Sequence, residues 1–202
     1  MGRENEDAIY VGTNNRYLFS VIADGAGSSA FAKEAAHCTV NTAADFFARR
    51  HLDLFEKEEF QTGKDLVFAV QQALFEKAEV LHADFKEMMC TLIATVIDTK
   101  KKLYMSIHVG DGLVAITEKG KTDIVSYPEN GITRQFTYML NSENVMKHLR
   151  IKTGPFEPGA ELFMCTDGAM EACFHKSEYI RRIQQISKFR CFTDDATYCK
   201  IC

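Results

Sequence analysis

The sequence predicts an α+β fold, and three observations carry that prediction. Short β-branched and aromatic runs stand so close together that only antiparallel pairing can join them, because a parallel crossover needs a dozen or more residues. Two long stretches instead repeat their apolar residues at steps of three and four, the period of a helix with one buried face. The two kinds come in blocks, strands, then two helices, then mostly strands, rather than in strict alternation.

Ile9-Tyr10-Val11-Gly12 and Tyr17 to Ala23 are two such runs. Thr13-Asn14-Asn15-Arg16 between them has the composition of a hairpin turn. From Ser28 to Arg50 the residues Ala32, Ala36, Val40, Ala43 and Phe47 mark a helix, with Ser28 or Ser29 as its N-cap. A second helix is predicted from about Thr62 to Phe85, with Leu66, Val70, Ala73, Leu74, Ala78, Leu81 and Phe85 on one stripe and Gln71, Glu76 and Lys77 turned outward. Thr91 to Ile97, Leu103 to Val109 and Leu113 to Thr117 then read as an antiparallel meander, joined by Asp98 to Lys102 and by Gly110-Asp111-Gly112. Glu161 to Thr166 is a further strand, Lys176 to Ser187 a last helix, and Ala196 to Ile201 a strand that closes the sheet. All three prolines, Pro128, Pro155 and Pro158, fall between 120 and 160, which marks about 119–158 as an excursion from the core. No repeat or Gly/Ser-rich linker divides the 202 residues, so one domain over 1–202 is expected.

A net charge of −4 and a pI near 5.9, without a block of Lys or Arg, exclude the phosphate-backbone footprint of a nucleic-acid binder. No apolar run approaches the roughly 18 to 20 residues of a membrane span, and Met1 to Asp7 are polar and acidic where a signal peptide is apolar. A soluble, cytoplasmic protein is expected. The seven cysteines are odd in number, and Cys38, Cys90, Cys165 and Cys173 sit in core-like stretches, which argues against a disulfide framework. Cys199 and Cys202 have metal-like spacing but no second Cys or His pair to complete a zinc site. As a prenylation box these last four residues fit poorly, with Lys at the second place.

The most informative pattern is an apolar run that stops at an Asp beside Gly. It occurs at Val21-Ile22-Ala23-Asp24-Gly25, at Val109-Gly110-Asp111-Gly112 and at Met164-Cys165-Thr166-Asp167-Gly168. Glu6-Asp7 precedes the first strand and Asp194-Asp195 the last. One Asp-Gly alone reads as a turn, but if these ends converge, five acidic clusters share one rim. Like charges a few Å apart raise one another's pKa, and bound cations relieve them. Oxygen-only donors select hard ions, Mg²⁺ or Mn²⁺. Two such ions would activate water and clamp a phosphoryl group in transfer, so phosphate-ester hydrolysis is the chemistry expected.

The set Arg3, Asn5-Glu6-Asp7-Ala8, Ala23 to Ser29, Cys90-Thr91-Leu92, Val109 to Gly112, Cys165 to Gly168 and Asp194 to Thr197 resembles the PP2C-type metal-dependent serine/threonine phosphatases, in their bacterial form. The resemblance covers nearly the whole chain, in the family's order. It implies a four-layer α-β-β-α sandwich, two antiparallel sheets flanked by helices, with a dinuclear Mn²⁺/Mg²⁺ site at one end. It makes Asp24 the carboxylate that bridges both ions, with the Gly25 carbonyl and Glu6 on one ion and Asp167 and Asp194 on the other. It makes Asp7 similar to the residue that orients metal-bound water and Arg3 to the arginine that receives the substrate phosphate, and Asp111 with Asp167, and Glu171 as a further candidate, matches the place of a weaker third ion. The implied substrates are phosphoproteins modified by an opposing serine/threonine kinase, and about 119–158 corresponds to the family's flap, where Tyr127, Asn130, Arg134 and Tyr138 would meet a phosphopeptide.

Two departures stand out. One residue fewer than usual separates Arg3 from Glu6-Asp7, and the chain begins where relatives have a preceding strand. Ala26 stands where some relatives carry a His that protonates the leaving group. These departures motivate an alternative, a pseudophosphatase-like module that binds phosphoproteins without turnover. His108, on a strand, is expected to be a structural sheet histidine, and His37 and His82 carry no motif. No segment reads Cys, five residues, Arg, so direct attack by water is expected rather than a thiolate mechanism.

Overall fold

The computed structural model describes residues 5–14, 16–49, 54–56, 58–129, 137–173 and 196–200. The order of elements is β1 (Ala8–Thr13), β2 (Tyr17–Ala23), α1 (Ala32–Arg49), α2 (Glu59–Leu81), β3 (Leu92–Asp98), β4 (Leu103–Val109), β5 (Leu113–Glu118), β6 (Lys121–Ser126), α3 (Val145–His148), β7 (Arg150–Pro155), β8 (Glu161–Cys165), α4 (Asp167–Cys173) and β9 (Ala196–Lys200). A one-turn 3₁₀ helix at Phe85–Glu87 precedes β3. The strands form two antiparallel sheets, β1-β2-β3-β4-β7 and β6-β5-β8-β9.

The opening hairpin is held by the turn residue that composition marks. The Asn14 side-chain oxygen accepts from the backbone N–H of Arg16 at 3.0 Å and of Tyr17 at 2.7 Å, while the Asn14 N–H donates to the Tyr17 carbonyl at 2.9 Å. An Asn side chain that satisfies following backbone donors is the usual device of such turns. It sets a register of Ala8 against Ala23 and Thr13 against Leu18. The next hairpin ends in a charge pair: Asp98, opposite Tyr17, accepts from Arg16 Nε at 2.9 Å and Nη2 at 2.5 Å.

Strand alternation sorts side chains into two cores. Phe19 and Val21 of β2, Leu92, Ala94 and Val96 of β3 and Met105 and Ile107 of β4 pack with α1 and α2, which bury Ala36, Val40, Phe47, Leu66, Val70 and Leu74 against them. The residues between them, Ile22, Ile93 and Ile97, point the other way and meet Val114, Ile116, Leu162 and Met164 of the second sheet. Each buried aliphatic side chain contributes roughly 1.5–3 kcal/mol. On the outer face of the second sheet, Leu113, Ala115 and Phe163 carry Ala169 and Met170 of α4. The layers are therefore helix, sheet, sheet, helix, as expected.

Several elements differ from expectation. β3 and β4 pair, but β5 does not continue their meander; it pairs with β6 and β8 in the second sheet. Gly110-Asp111-Gly112 is thus a crossing between sheets, made possible by Gly110 at φ +122°, a backbone conformation that favours glycine. The stretch expected as an excursion gives one strand to each sheet, β6 and β7. α1 starts at Ala32, and Ser29 does not cap it; its hydroxyl donates to the Glu87 carbonyl. α2 ends at Leu81 because His82 adopts the left-handed conformation and its N–H turns back to the last carbonyls. Gln71, expected to face outward, donates to the Leu140 carbonyl at 2.7 Å. The helix expected at Lys176 to Ser187 lies outside the described residues. No described helix is long and apolar enough to cross a membrane, and the thiols of Cys38, Cys90 and Cys165 are free.

Candidate active site

Antiparallel pairing brings the acidic strand ends to one rim. Asp7 stands just before β1 and Asp24 just after β2, which are neighbours with Ala8 opposite Ala23. Asp111 lies in the crossing between sheets, and Asp167 follows β8 at the first position of α4. The two sheets are stitched together here: the Thr166 hydroxyl, at the end of β8, donates to Asp7 Oδ2 at 3.0 Å.

Asp24 is the centre of the group. Its backbone is fixed by Thr91, whose Oγ1 accepts from the Asp24 N–H at 3.0 Å and whose N–H donates to the Asp24 carbonyl at 2.9 Å. Gly25 makes a bridge with Cys90, and it has to be glycine: an added Cβ would stand 2.7 Å from the backbone carbonyl oxygens of both Glu6 and Ala32. That close approach seats Glu6 beside the loop. Burial, the charge of Asp7 and hydrogen bonds with Asp167 and Asp7 push the Asp24 carboxyl up to about 10. Three carboxyls drawn from separate parts of the chain therefore meet in one place.

Asp111 is also buried, and its carboxyl accepts from the Thr137 hydroxyl. Burial raises its pKa, the Thr137 hydrogen bond opposes this, and the charge of Asp167 adds to the rise; the net shift is upward. Gly110 packs so tightly on Thr91 that a Cβ there would meet Thr91 Cγ2 at 2.6 Å. The Asp111 crossing and the Asp24 loop thus share Thr91 as a support.

Among the described residues, no group of three or more His, Cys, Asp or Glu side chains stands in an arrangement ready to hold an ion. Burial and the neighbouring Asp7 and Asp167 carboxyls push the Asp24 pKa upward, which favours its protonated form while no cation is bound. The donor chemistry nevertheless fits a hard divalent ion, because all donors are oxygens and their mutual repulsion is what such an ion relieves. Arg3 and Asp194, and the flap residues Asn130 and Arg134, lie outside the described residues. Glu171 falls on α4.

A family model described as Protein phosphatase 2C matches residues 1–198. The chain belongs to that family. It is by membership a serine/threonine protein phosphatase. Among curated proteins no sequence matches the chain. Among solved structures, a Stage II Sporulation E family protein from Thermanaerovibrio acidaminovorans aligns with TM-score 0.62 at 18% identity, covering 96% of this chain and 99% of the other. The serine/threonine phosphatase PstP/Ppp of Mycobacterium tuberculosis aligns with TM-score 0.70 at 15% identity, over 94% of this chain and 81% of its own. A PstP catalytic domain in complex with two manganese ions aligns with TM-score 0.69 at 16% identity, over 94% and 80%. At these identities the likeness is one of fold.

Against the PP2C fold, the structure brings together Asp7, Asp24, Gly25 and Asp167, with the Glu6 backbone against Gly25 and Asp111 in electrostatic reach of Asp167. His108 is a buried sheet histidine: its Nδ1 pairs with Ser126 Oγ at 2.8 Å, and burial together with Arg150 pushes its pKa well below the usual value, so it is neutral. Sequence reading missed the supporting hydroxyls of Thr91, Thr137 and Thr166 and the contacts of Arg150. Thr91 and Thr166 sit inside the motif segments, where their hydroxyls are a visible signal. Thr137 and Arg150 have no such signal, since only the tertiary register brings them to Asp111.

Proposed function

We propose that the chain hydrolyses phosphoserine and phosphothreonine in proteins by direct attack of water, without a covalent phosphoenzyme, at a dinuclear Mn²⁺ or Mg²⁺ site. The observation that carries this reading is the half-buried Asp24 carboxyl, whose pKa the neighbouring Asp7 and Asp167 carboxyls push upward. The PstP domain solved with two manganese ions supports the ion count.

In this reading Asp24, with Glu6 and the Gly25 carbonyl on one side and Asp167 and Asp194 on the other, would hold the two ions. When bound, such ions supply the positive charge that acidifies water and offsets the charge of the phosphoryl group. Asp7, its orientation fixed by the Thr166 hydroxyl, accepts a hydrogen bond from the attacking water and aims it. Arg3 engages two phosphate oxygens with its planar fork. Asp111 and Asp167 would hold a third, weaker ion. Ion binding displaces the proton that the metal-free Asp24 holds, and the cations' positive charge would then favour entry of the phosphate anion. Physiological substrates are phosphoproteins that a serine/threonine kinase modifies, in the cytoplasm.

The test is turnover of an aryl phosphate and of a phosphothreonine peptide with added Mn²⁺, beside a chelated sample and an Asp24→Asn variant. Turnover that needs the ion and disappears in the variant is the expected result. Equal turnover in the chelated sample overturns the metal mechanism, and tight Mn²⁺ binding without any turnover identifies a phosphoprotein-binding module instead.

A further inference from the structure

We infer that Arg150 is a positioning residue, which fixes the Asp111 crossing and ties it to residues 137–148 through a closed ring of contacts. The inference rests on the proposed site to the extent that Asp111 serves an ion there.

The ring can be followed bond by bond. Antiparallel pairing of β4 with β7 places Arg150 opposite His108, two residues before Gly110. From there the guanidinium spans two targets with its fork. Its Nη2 donates to the Gly110 carbonyl at 2.5 Å, and its Nη1 lies 3.2 Å from Glu129 Oε2. The Glu129 N–H donates to that same Gly110 carbonyl at 3.2 Å. The other oxygen of Glu129 pairs with His148 Nδ1 at 3.0 Å, and the His148 ring stacks on Tyr138, with planes 11° apart. Thr137, adjacent to Tyr138, closes the ring by donating its hydroxyl to Asp111.

Asp111 is therefore held from two sides, at its carboxylate by Thr137 and through the Gly110 carbonyl by Arg150 and Glu129. A glycine at φ +122° has little steric restraint of its own. The crossing needs external bonds to keep the carboxylate aimed, and a bidentate cation supplies them better than an ammonium, whose single centre cannot reach both targets. Arg150 and Glu129 are partly shielded from solvent, with side-chain exposures of 23% and 34%, so these bonds compete with water less than surface pairs do.

The experiment compares the wild-type chain with Arg150→Lys, which keeps the charge and the strand but loses the fork. In metal-free protein, amide hydrogen exchange is expected to accelerate about tenfold or more in both 110–113 and 138–148, with β3 unchanged. In Mn²⁺ titrations by calorimetry, the weakest binding step is expected to lose roughly tenfold in affinity, and that loss disappears in an Asp111→Asn background because the two changes act through one group. Faster exchange in only one of the two segments, or an Mn²⁺ effect of equal size with Asp111→Asn, overturns the inference. Should Arg150→Lys fail to fold, Glu129→Gln replaces it: faster exchange in 110–113 supports the ring, and unchanged exchange there overturns it. A wild-type chain that binds no Mn²⁺ removes the proposed site, while the exchange comparison still decides the role of Arg150.

Discussion

The Thr166 hydroxyl donates to the Asp7 carboxylate at 3.0 Å, and this bond joins the end of a strand in one sheet to the start of a strand in the other. It leaves Asp7 with one oxygen committed and its direction fixed. Replacing Thr166 by Val keeps the shape and removes the donor. A hydrogen bond to a charged group is worth about 1.5–3 kcal/mol. If most of that is expressed in aiming the carboxylate, kcat falls roughly ten- to a hundredfold. Steady-state kinetics on a phosphopeptide at saturating Mn²⁺ checks this, and an unchanged kcat shows that Asp7 does not aim water.

Asp24 gives the metal-free chain a distinctive pH response. Its folded pKa, pushed up to about 10 by burial and by Asp7 and Asp167, stands above the ordinary carboxylate value. A raised value means that the folded state holds the proton more tightly than the unfolded state. The resulting stability is full below about pH 4 and is lost as the pH rises toward 10, at no more than about 1.4 kcal/mol per pH unit for one proton. The Tm of metal-free protein should fall between about pH 5 and 9, and Asp24→Asn should flatten that slope. Ion binding near neutral pH should release about one proton, measured by calorimetry in buffers of different ionisation enthalpy. A flat wild-type Tm together with no released proton contradicts the mutual influence of Asp24, Asp7 and Asp167.

Gly25→Ala tests the packing that seats the site. The new methyl would press on two backbone carbonyls, those of Glu6 and Ala32, neither of which can rotate away as a flexible side chain would. Overpacking of this kind costs about 1–3 kcal/mol. Because one of the two obstacles is Glu6, Mn²⁺ affinity should drop together with Tm. Denaturant unfolding and Mn²⁺ titration of the same variant check both, and a stable variant with full affinity shows that Gly25 is not required there.

Much of this architecture is legible in the residues themselves, and its limits have physical causes. The Asn14 turn, the two long helices apart from their ends, and the Asp-Gly pairs that follow β2 and β8 are local signals found where the sequence puts them. The crossing at Gly110-Asp111-Gly112 is not legible, because Asp-Gly serves a hairpin and a change of sheet equally well. The strand after it, Leu-Val-Ala-Ile-Thr, is apolar on both faces and so does not reveal which sheet it joins. β7, Arg-Ile-Lys-Thr-Gly-Pro, mixes polar residues and ends in proline, which hides an edge strand inside a loop-like stretch. The ring through Arg150 depends on that hidden strand, so it could not be read before its register was known.

The pair at the other end of β2 and β3 predicts an effect on stability alone. Asp98 accepts from Arg16 Nε and Nη2 and from the backbone N–H of Lys100 and Lys101 at 3.0 and 2.9 Å. Burial acts to raise its pKa, but these bonds outweigh it and the net shift is downward. A depressed folded value gives stability that is present above the ordinary carboxylate pKa and is lost as the pH falls through the folded value. Asp98→Asn should therefore lower Tm by several degrees at neutral pH, and the gap from the wild type should close as the pH is taken down through the carboxylate range. Asp98 lies at the opposite end of β3 from Thr91 and the acidic rim, so activity per folded molecule should not change. Thermal melts across pH, paired with kinetics at 25 °C, separate the two effects; a fall in kcat without a fall in Tm would place Asp98 in the catalytic apparatus and contradict its role as a hairpin anchor.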